Sequence, residues 1–351
     1  MTSTNQSRRR PFLRRAVLGG LMTALPMLLV CIAIIATGEQ WMVRLAYAGV
    51  VAVVVVVGLQ IQMGNSGGVS FSHTVFVAIG AYAVAILSVP VQMKKLIIPN
   101  APFGLADLSL SPAAAVLVAL LIVAVLAVIT GLVIVRVSGI AADILTLCLQ
   151  IIAHSVFMYW TSLFRGSQAF FGIPQFMTLP AALAVAMAVI IGARIFRDSP
   201  WGVQLRASSE NLLAARCFAV NVTRLRLLAW ILSALACSIG GMIFAFYIGT
   251  INAQSFYFPY VFLTVAMLIL GGMNSVSGAV VGVLIISIGI ELIRNLENGP
   301  VLFGIELPTL YGLSGLALGA VIILGMVLRP AGIMGTREFD DILFPRRPET
   351  E

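Results

Sequence analysis

Charge is scarce in this sequence: Asp, Glu, Lys and Arg make up 10% of the 351 residues, and lysine occurs only at Lys94 and Lys95. Neither lysine lies in a G-x-x-x-x-G-K-[ST] phosphate loop, so any ATP-driven work has its motor in another chain. Histidine is limited to His73 and His154, too few for a His-rich metal centre. The four cysteines, Cys31, Cys148, Cys217 and Cys237, stand singly, with no Cys-x-x-Cys pair to suggest a disulfide framework or a zinc site. No nucleophile-plus-base motif accompanies His73 and Asp143, which argues against an intramembrane hydrolase. The expectation is a protein that is not an enzyme and carries no catalytic residue, cofactor or metal.

What remains is apolar. Hydrophobic residues make up 60% of the chain and the mean hydropathy is +1.08. A helical crossing needs about 20 apolar residues for roughly 30 Å of hydrocarbon, and the chain has room for about ten. The net charge of +8 resides in arginines at the ends of apolar runs, not along one face, so it reads as a topology signal and not as a nucleic-acid surface. The fold class is therefore all-α and polytopic, multi-pass in a membrane.

In chain order, residues 1–15 form a basic tail with Arg8, Arg9, Arg10, Arg14 and Arg15. It resembles a twin-arginine export signal, but no A-x-A site closes the run that follows, so the arginines hold the N-terminus in the cytoplasm. Apolar runs cover about 16–36, 41–62, 74–89, 113–135, 139–160, 176–196, 227–247, 257–270, 279–293 and 310–328. The transmembrane domain is thus 16–328. A second basic tail, 329–351, carries Arg329, Arg337, Arg346 and Arg347 and returns to the cytoplasm.

Two glycine-framed interruptions look alike. GNSGGVSFS begins at Gly64 and GGMNSVSGA at Gly271, each ending one apolar run and opening the next. Paired breaks of this kind are a trace of structural repeats whose broken or re-entrant helices meet at a pathway. Gly64, Asn65, Ser66, Gly67, Gly68, Ser70, His73, Gly271, Gly272, Asn274 and Ser275 are the candidate path residues. The competing reading is that small residues only let helices pack closely.

The longest break in greasiness is the loop 198–226. Ser199, Pro200 and Trp201 form a helix-start signature, followed by one helix over about 202–218. Val203, Leu212, Leu213 and Phe218 form its apolar stripe, leaving Arg206, Glu210, Asn211 and Arg216 to water or to a partner. The segment reads either as a docking helix for a cytoplasmic protein or as a plain connector.

GVQLRASSENLLAARCFAVNVTRLRLL resembles the cytoplasmic loop of permease subunits in branched-chain amino acid ABC importers, the LivM type. Gly202, Arg206, Glu210, Asn211, Ala214, Ala215 and Asn221 fill that family's places, while Ala219 stands where the family usually has Gly. Upstream, Ser70, His73, Phe76, Ile79, Gly80, Ala81 and Tyr82 match a second family pattern, with Phe71 and Ser72 replacing Leu and Gly. Phe170 and Phe171 are inserted before the Gly172-Ile173 of a third, and RPAGIMG closes the resemblance at Gly335. The resemblance implies two ATP-binding subunits docked on the cytoplasmic loops, a second, homologous permease chain, an extracytoplasmic solute-binding protein and surrounding membrane lipid. It implies a permease domain, 16–328, multi-pass in a bacterial inner membrane, and import of branched-chain or other amino acids. Urea or short amides, or ion-coupled secondary transport through Asp143, His154 and Glu291, are the alternatives.

Overall fold

The computed structural model describes residues 4–99, 101–297, 301–302, 305–306, 312–329 and 331–343. Arg346 and Arg347 lie outside the described residues, as do the side chains of Arg8, Arg9, Arg10 and Arg14. The helices are α1 (Thr4–Thr37), α2 (Gln40–Ser66), α3 (His73–Ser88), α4 (Val91–Ile97), α5 (Pro112–Ile134), α6 (Ile140–Tyr159), α7 (Thr161–Phe164) and α8 (Leu179–Asp198). They continue as α9 (Pro200–Glu210), α10 (Leu212–Cys217), α11 (Val222–Ile248), α12 (Phe258–Gly271), α13 (Val276–Glu297), α14 (Leu313–Leu328) and α15 (Phe339–Leu343). A two-residue antiparallel ladder pairs Val301 with Glu306 and Leu302 with Ile305.

Among the described residues, eight helical stretches are long and apolar enough to cross a membrane. They fall in α1, α2, α5, α6, α8, α11, α12 with its preceding turn, and α13. The expected third and tenth runs are the helices α3 and α14, of 16 residues each. At 1.5 Å per residue each is about 24 Å long, less than a straight crossing takes. The chain is an all-α polytopic membrane protein.

α2 lies at the centre. Its run Val53, Val54, Val55, Val56 and Val57 is fully buried. β-Branched residues are modest helix formers, but where water is excluded the backbone must satisfy its own hydrogen bonds, and the helix does so. α11 packs against it through glycine: a Cβ on Gly58 would lie 2.8 Å from the Cys237 sulfur, and one on Gly240 2.6 Å from Val55. Close approach through small residues is the usual way to join helices that share one apolar solvent. α5 instead turns Leu117, Leu121, Val125, Ile129 and Leu132 outward, as a lipid-facing helix does.

One end of the bundle collects the arginines. Arg15, Arg194, Arg197, Arg206 and Arg337 line one recess there, and Arg136, Arg216 and Arg226 line another. The loop 198–226 sits at this end, called the loop end below.

Candidate functional site

The first break runs into the bundle. α2 ends at Ser66, Gly67 takes a left-handed conformation (φ 73°), and the chain is irregular until α3 begins at His73. A fully irregular buried backbone needs partners, and α6 supplies them at helical spacing. Asp143 accepts from the Val69 amide, Thr146 Oγ1 accepts from Phe71 N at 3.2 Å, and Gln150 accepts from Thr74 Oγ1 at 2.8 Å. Gln150 also donates to the Phe256 carbonyl at 2.9 Å, so one buried amide joins α3, α6 and the turn before α12. His73 is buried and its Nε2 lies 2.6 Å from Thr264 Oγ1. Gln150 and Thr264 are both midway along their helices, so α3 starts in the middle of the bundle, with its N-terminal dipole end there. The hydroxyls of Ser70 and Ser72 and both polar atoms of Gln60 are buried beside this break with no hydrogen-bond partner among the described residues.

The second break is held differently. A Cβ on Gly271 would meet the Gly278 carbonyl oxygen at 1.9 Å, and Gly272 (φ 119°) lies against the backbone of Gly335. Ser275 is buried and accepts from Gly278 N at 2.7 Å. The Glu338 carboxylate, fully buried, accepts from Val276 N and Ser277 N at 2.9 Å each and so caps α13. Ile333 N and Met334 N bond Leu270 O and Gly271 O. The tail after Arg329 is therefore folded against the bundle within residues 331–343. Arg194 and Arg197 balance Glu338 at 2.8 and 3.0 Å, and Arg194 also pairs with Asp198 and Asp340 at 2.8 Å each.

The two breaks touch: a Cβ on Gly64 would lie 2.1 Å from the Met273 carbonyl oxygen. The first also touches the loop, and the second touches the end of α8 just before it. Asn65, fully buried, accepts from Arg206 at 2.8 Å, and Arg197 donates to the Asn274 carbonyl at 3.1 Å.

Two expectations for the loop are corrected. It holds two helices, α9 and α10, instead of one over 202–218, because Asn211 leaves helical geometry (φ −147°, ψ 101°) to cap α10 by accepting from Ala214 N at 3.0 Å. Its apolar stripe also faces outward, although Glu210, Asn211 and Arg216 are exposed as expected. Arg206 turns inward to Asn65 and to the Arg197 carbonyl, while Trp201, Val203, Leu213 and Phe218 are exposed, Phe218 to 83%. Burial, and then the neighbouring Arg197 guanidinium, pull the Arg206 pKa down from the usual arginine range.

The remaining loop residues have local roles. Gly202 packs where a Cβ would lie 2.3 Å from the Phe196 carbonyl oxygen, so the α8–α9 corner requires glycine. Asn221 caps α11 by accepting from Arg224 N at 3.1 Å. Ala215 is buried, Ala214 and Glu210 are exposed, and Ala219 is left-handed (φ 57°), the conformation for which glycine is suited.

A cavity of about 380 Å³ opens where the first break, α6, α11 and the loop meet, and Gly68, Asp143, Thr146, Ser209, Leu212 and Arg226 are on its walls. Of the groups considered for ion coupling, His154 stacks on Tyr257 with ring centroids 3.8 Å apart, and Glu291 pairs with Arg294 at 3.6 Å. No cluster of three or more His, Cys, Asp or Glu suited to a metal occurs among the described residues. Glu338, the cap and the α6 ladder escaped sequence reasoning, though acidic residues amid basic ones at 337–341 were a signal for the first.

The family model for the branched-chain amino acid transport system permease component matches residues 41–328. Among curated relatives, the chain is 28% identical to the high-affinity branched-chain amino acid transport system permease protein LivM of Salmonella typhimurium and 27% identical to that of Escherichia coli, each over 45% of this chain and 34% of the relative. It is 31% identical to the autoinducer 2 import system permease protein LsrC of an Enterobacter strain, over 43% of this chain and 44% of the relative. The matches thus span about a third to under half of the relatives' length. No solved structure matches the chain. With the family model covering most of a chain built of membrane-crossing helices, the protein belongs to the branched-chain amino acid transport system permease component family, a multi-pass family of the inner membrane.

Proposed function

We propose that the chain is a membrane subunit of an ABC importer that passes a small polar solute, branched-chain or other amino acids foremost, into the cytoplasm. ATP is hydrolysed by two ATP-binding subunits that dock on loop 198–226 and on its counterpart in a second, homologous permease. An extracytoplasmic binding protein delivers the solute and sets most of the choice among solutes. The loop end faces the cytoplasm, in keeping with its arginines, and both chain termini lie on that side.

The observation that carries this reading is the outward apolar face of α9 and α10. Trp201, Val203, Leu213 and Phe218 are exposed on a short polar loop at the arginine-rich end, with Glu210 and Arg216 also exposed. Apolar residues clustered on a water-facing surface and rimmed by charge mark a protein interface. Behind them, Arg206 joins the loop to Asn65 in the first break, a rigid link between a docked partner and the bundle interior. The solute passes along the first break, by Gly64, Asn65, Ser66, Gly67, Gly68, Ser70 and His73, with the second break, Gly271, Gly272, Asn274 and Ser275, as its support. Backbone amides and the start of α3 give a passing carboxylate brief compensation.

The test is co-purification with the ATP-binding subunits for the wild type and for Leu213→Ser with Phe218→Ser. The reading predicts loss of the subunits from a variant that still inserts and runs as a single species in detergent. Undiminished recovery of the subunits overturns it.

A further inference from the structure

The cavity at the loop end has a chemistry of its own. Arg226 of α11 and Asp143 of α6 both stand on its wall, so two helices bring opposite charges to one space of about 380 Å³. Among the described residues neither forms an ion pair. Asp143 uses one contact to hold the Val69 amide, which leaves the carboxylate further acceptor capacity. A guanidinium and a carboxylate in one partly enclosed space, unpaired with each other, suit a ligand that carries both charges itself. The volume lies within the range of about 300–1,000 Å³ common for small-molecule sites.

The third wall is the docking loop. Ser208 and Ser209 from the end of α9, and Leu212 from the start of α10, close the cavity at the Asn211 break between those helices. A Cβ on Gly67 would lie 2.9 Å from the Ser209 Cβ, so the loop rests directly on the first break. Any displacement of α9 against α10 therefore changes the cavity's size and access.

We propose that this cavity is a transient binding site for a zwitterionic α-amino acid, in which Arg226 takes the carboxylate, Asp143 the ammonium, and the α9–α10 joint is the movable wall. The site rests on the transport reading above and deepens it: the solute is held beside the element that a docked ATP-binding subunit grips. A bidentate guanidinium contact suits a carboxylate. The wall contributed by Trp230 and Leu212 leaves apolar space for a side chain.

The test places a thiol in the cavity by Ala142→Cys, in the full complex reconstituted into vesicles, with Cys148→Ser and Cys217→Ser removing the exposed native thiols. A charged thiol reagent reaches the loop end, and its rate is measured with L-leucine, with isovalerate, which lacks the ammonium, and with isoamylamine, which lacks the carboxylate. L-leucine slows alkylation about tenfold, and each singly charged analogue far less, since an unsatisfied charged group in a site rejects a ligand lacking its partner. Arg226→Gln removes that protection and Arg226→Lys restores part of it. Uptake of L-leucine is measured in the same vesicles. Uptake without protection, or equal protection by all three compounds, overturns the site; no uptake of L-leucine by a fully assembled complex overturns the transport reading on which it rests.

Discussion

Asn65, at the end of the central helix, accepts a hydrogen bond of 2.8 Å from Arg206 in the loop 198–226, although 141 positions separate them. Asn65 is fully buried and Arg206 is half-buried. Loop 198–226 and the break that enters the bundle are thereby joined directly. Arg206→Lys keeps the charge but loses the forked geometry that reaches Asn65 and the Arg197 carbonyl together. The expected outcome is an assembled complex whose ATP hydrolysis no longer responds to the loaded binding protein, measured as the ratio of stimulated to basal hydrolysis.

Ala219 gives a prediction of the opposite sign. It adopts φ 57°, where a side chain costs about 1–2 kcal/mol relative to glycine. Glycine gives back part of this through the entropy of its unfolded chain, about 0.4–1 kcal/mol. Ala219→Gly is expected to stabilise the protein by up to about 1 kcal/mol, read as a raised unfolding midpoint in detergent.

Glu338 is fully buried between Arg194, Arg197 and the first amides of α13. Removing one member of such a buried network costs about 3–5 kcal/mol because the others are left uncompensated. Glu338→Ala should lower the unfolding midpoint sharply and expose the start of α13 to proteolysis. A change no larger than that of Asp107→Ala, in an exposed pair with Lys95, would show that the network is not structural.

The glycine breaks separate a route from a packing contact. A Cβ on Gly68 would meet only Asp143, at 3.7 Å, among the described residues and would face the cavity, whereas Gly64 lies on the Met273 backbone. Gly68→Leu should leave a complex that assembles but transports little; Gly64→Leu should fail to assemble. Recovery and uptake measured in the same membranes distinguish them, and normal uptake by Gly68→Leu would place the route elsewhere.

How far these features were legible in the sequence depends on which force decided each. Apolar runs are set by the bilayer, so all ten expected segments hold an apolar helix, with α3 and α14 shorter than a crossing. The two breaks were legible from glycine, but not that they would meet each other or that the first would hold Arg206 of the loop, since contacts between residues so distant in the chain leave no local trace. The loop was read in part: Glu210, Asn211 and Arg216 are exposed as expected, but an amphipathic pattern normally buries its apolar side, and Val203, Leu213 and Phe218 instead face outward while Arg206 is drawn to buried Asn65. The polar line of Asp143, Thr146 and Gln150 sat in plain view at spacings of three and four. Its purpose emerged only with the irregular backbone of residues 68–72 that it satisfies.

Orientation is open to a direct chemical check. Cys217 is exposed on the loop and Cys31 and Cys237 are buried. With Cys148→Ser, an impermeant thiol reagent added outside intact cells should leave Cys217 unmodified until the membrane is opened.

The measurement that bears most directly on the whole account is uptake of L-leucine into vesicles holding this chain, its second permease, the ATP-binding subunits and the binding protein. The account predicts uptake that requires internal access of the ATP-binding subunits to ATP and ceases when those subunits are omitted, whatever the ion gradient. Uptake by the permease chains alone, driven by a proton or sodium gradient, would contradict it.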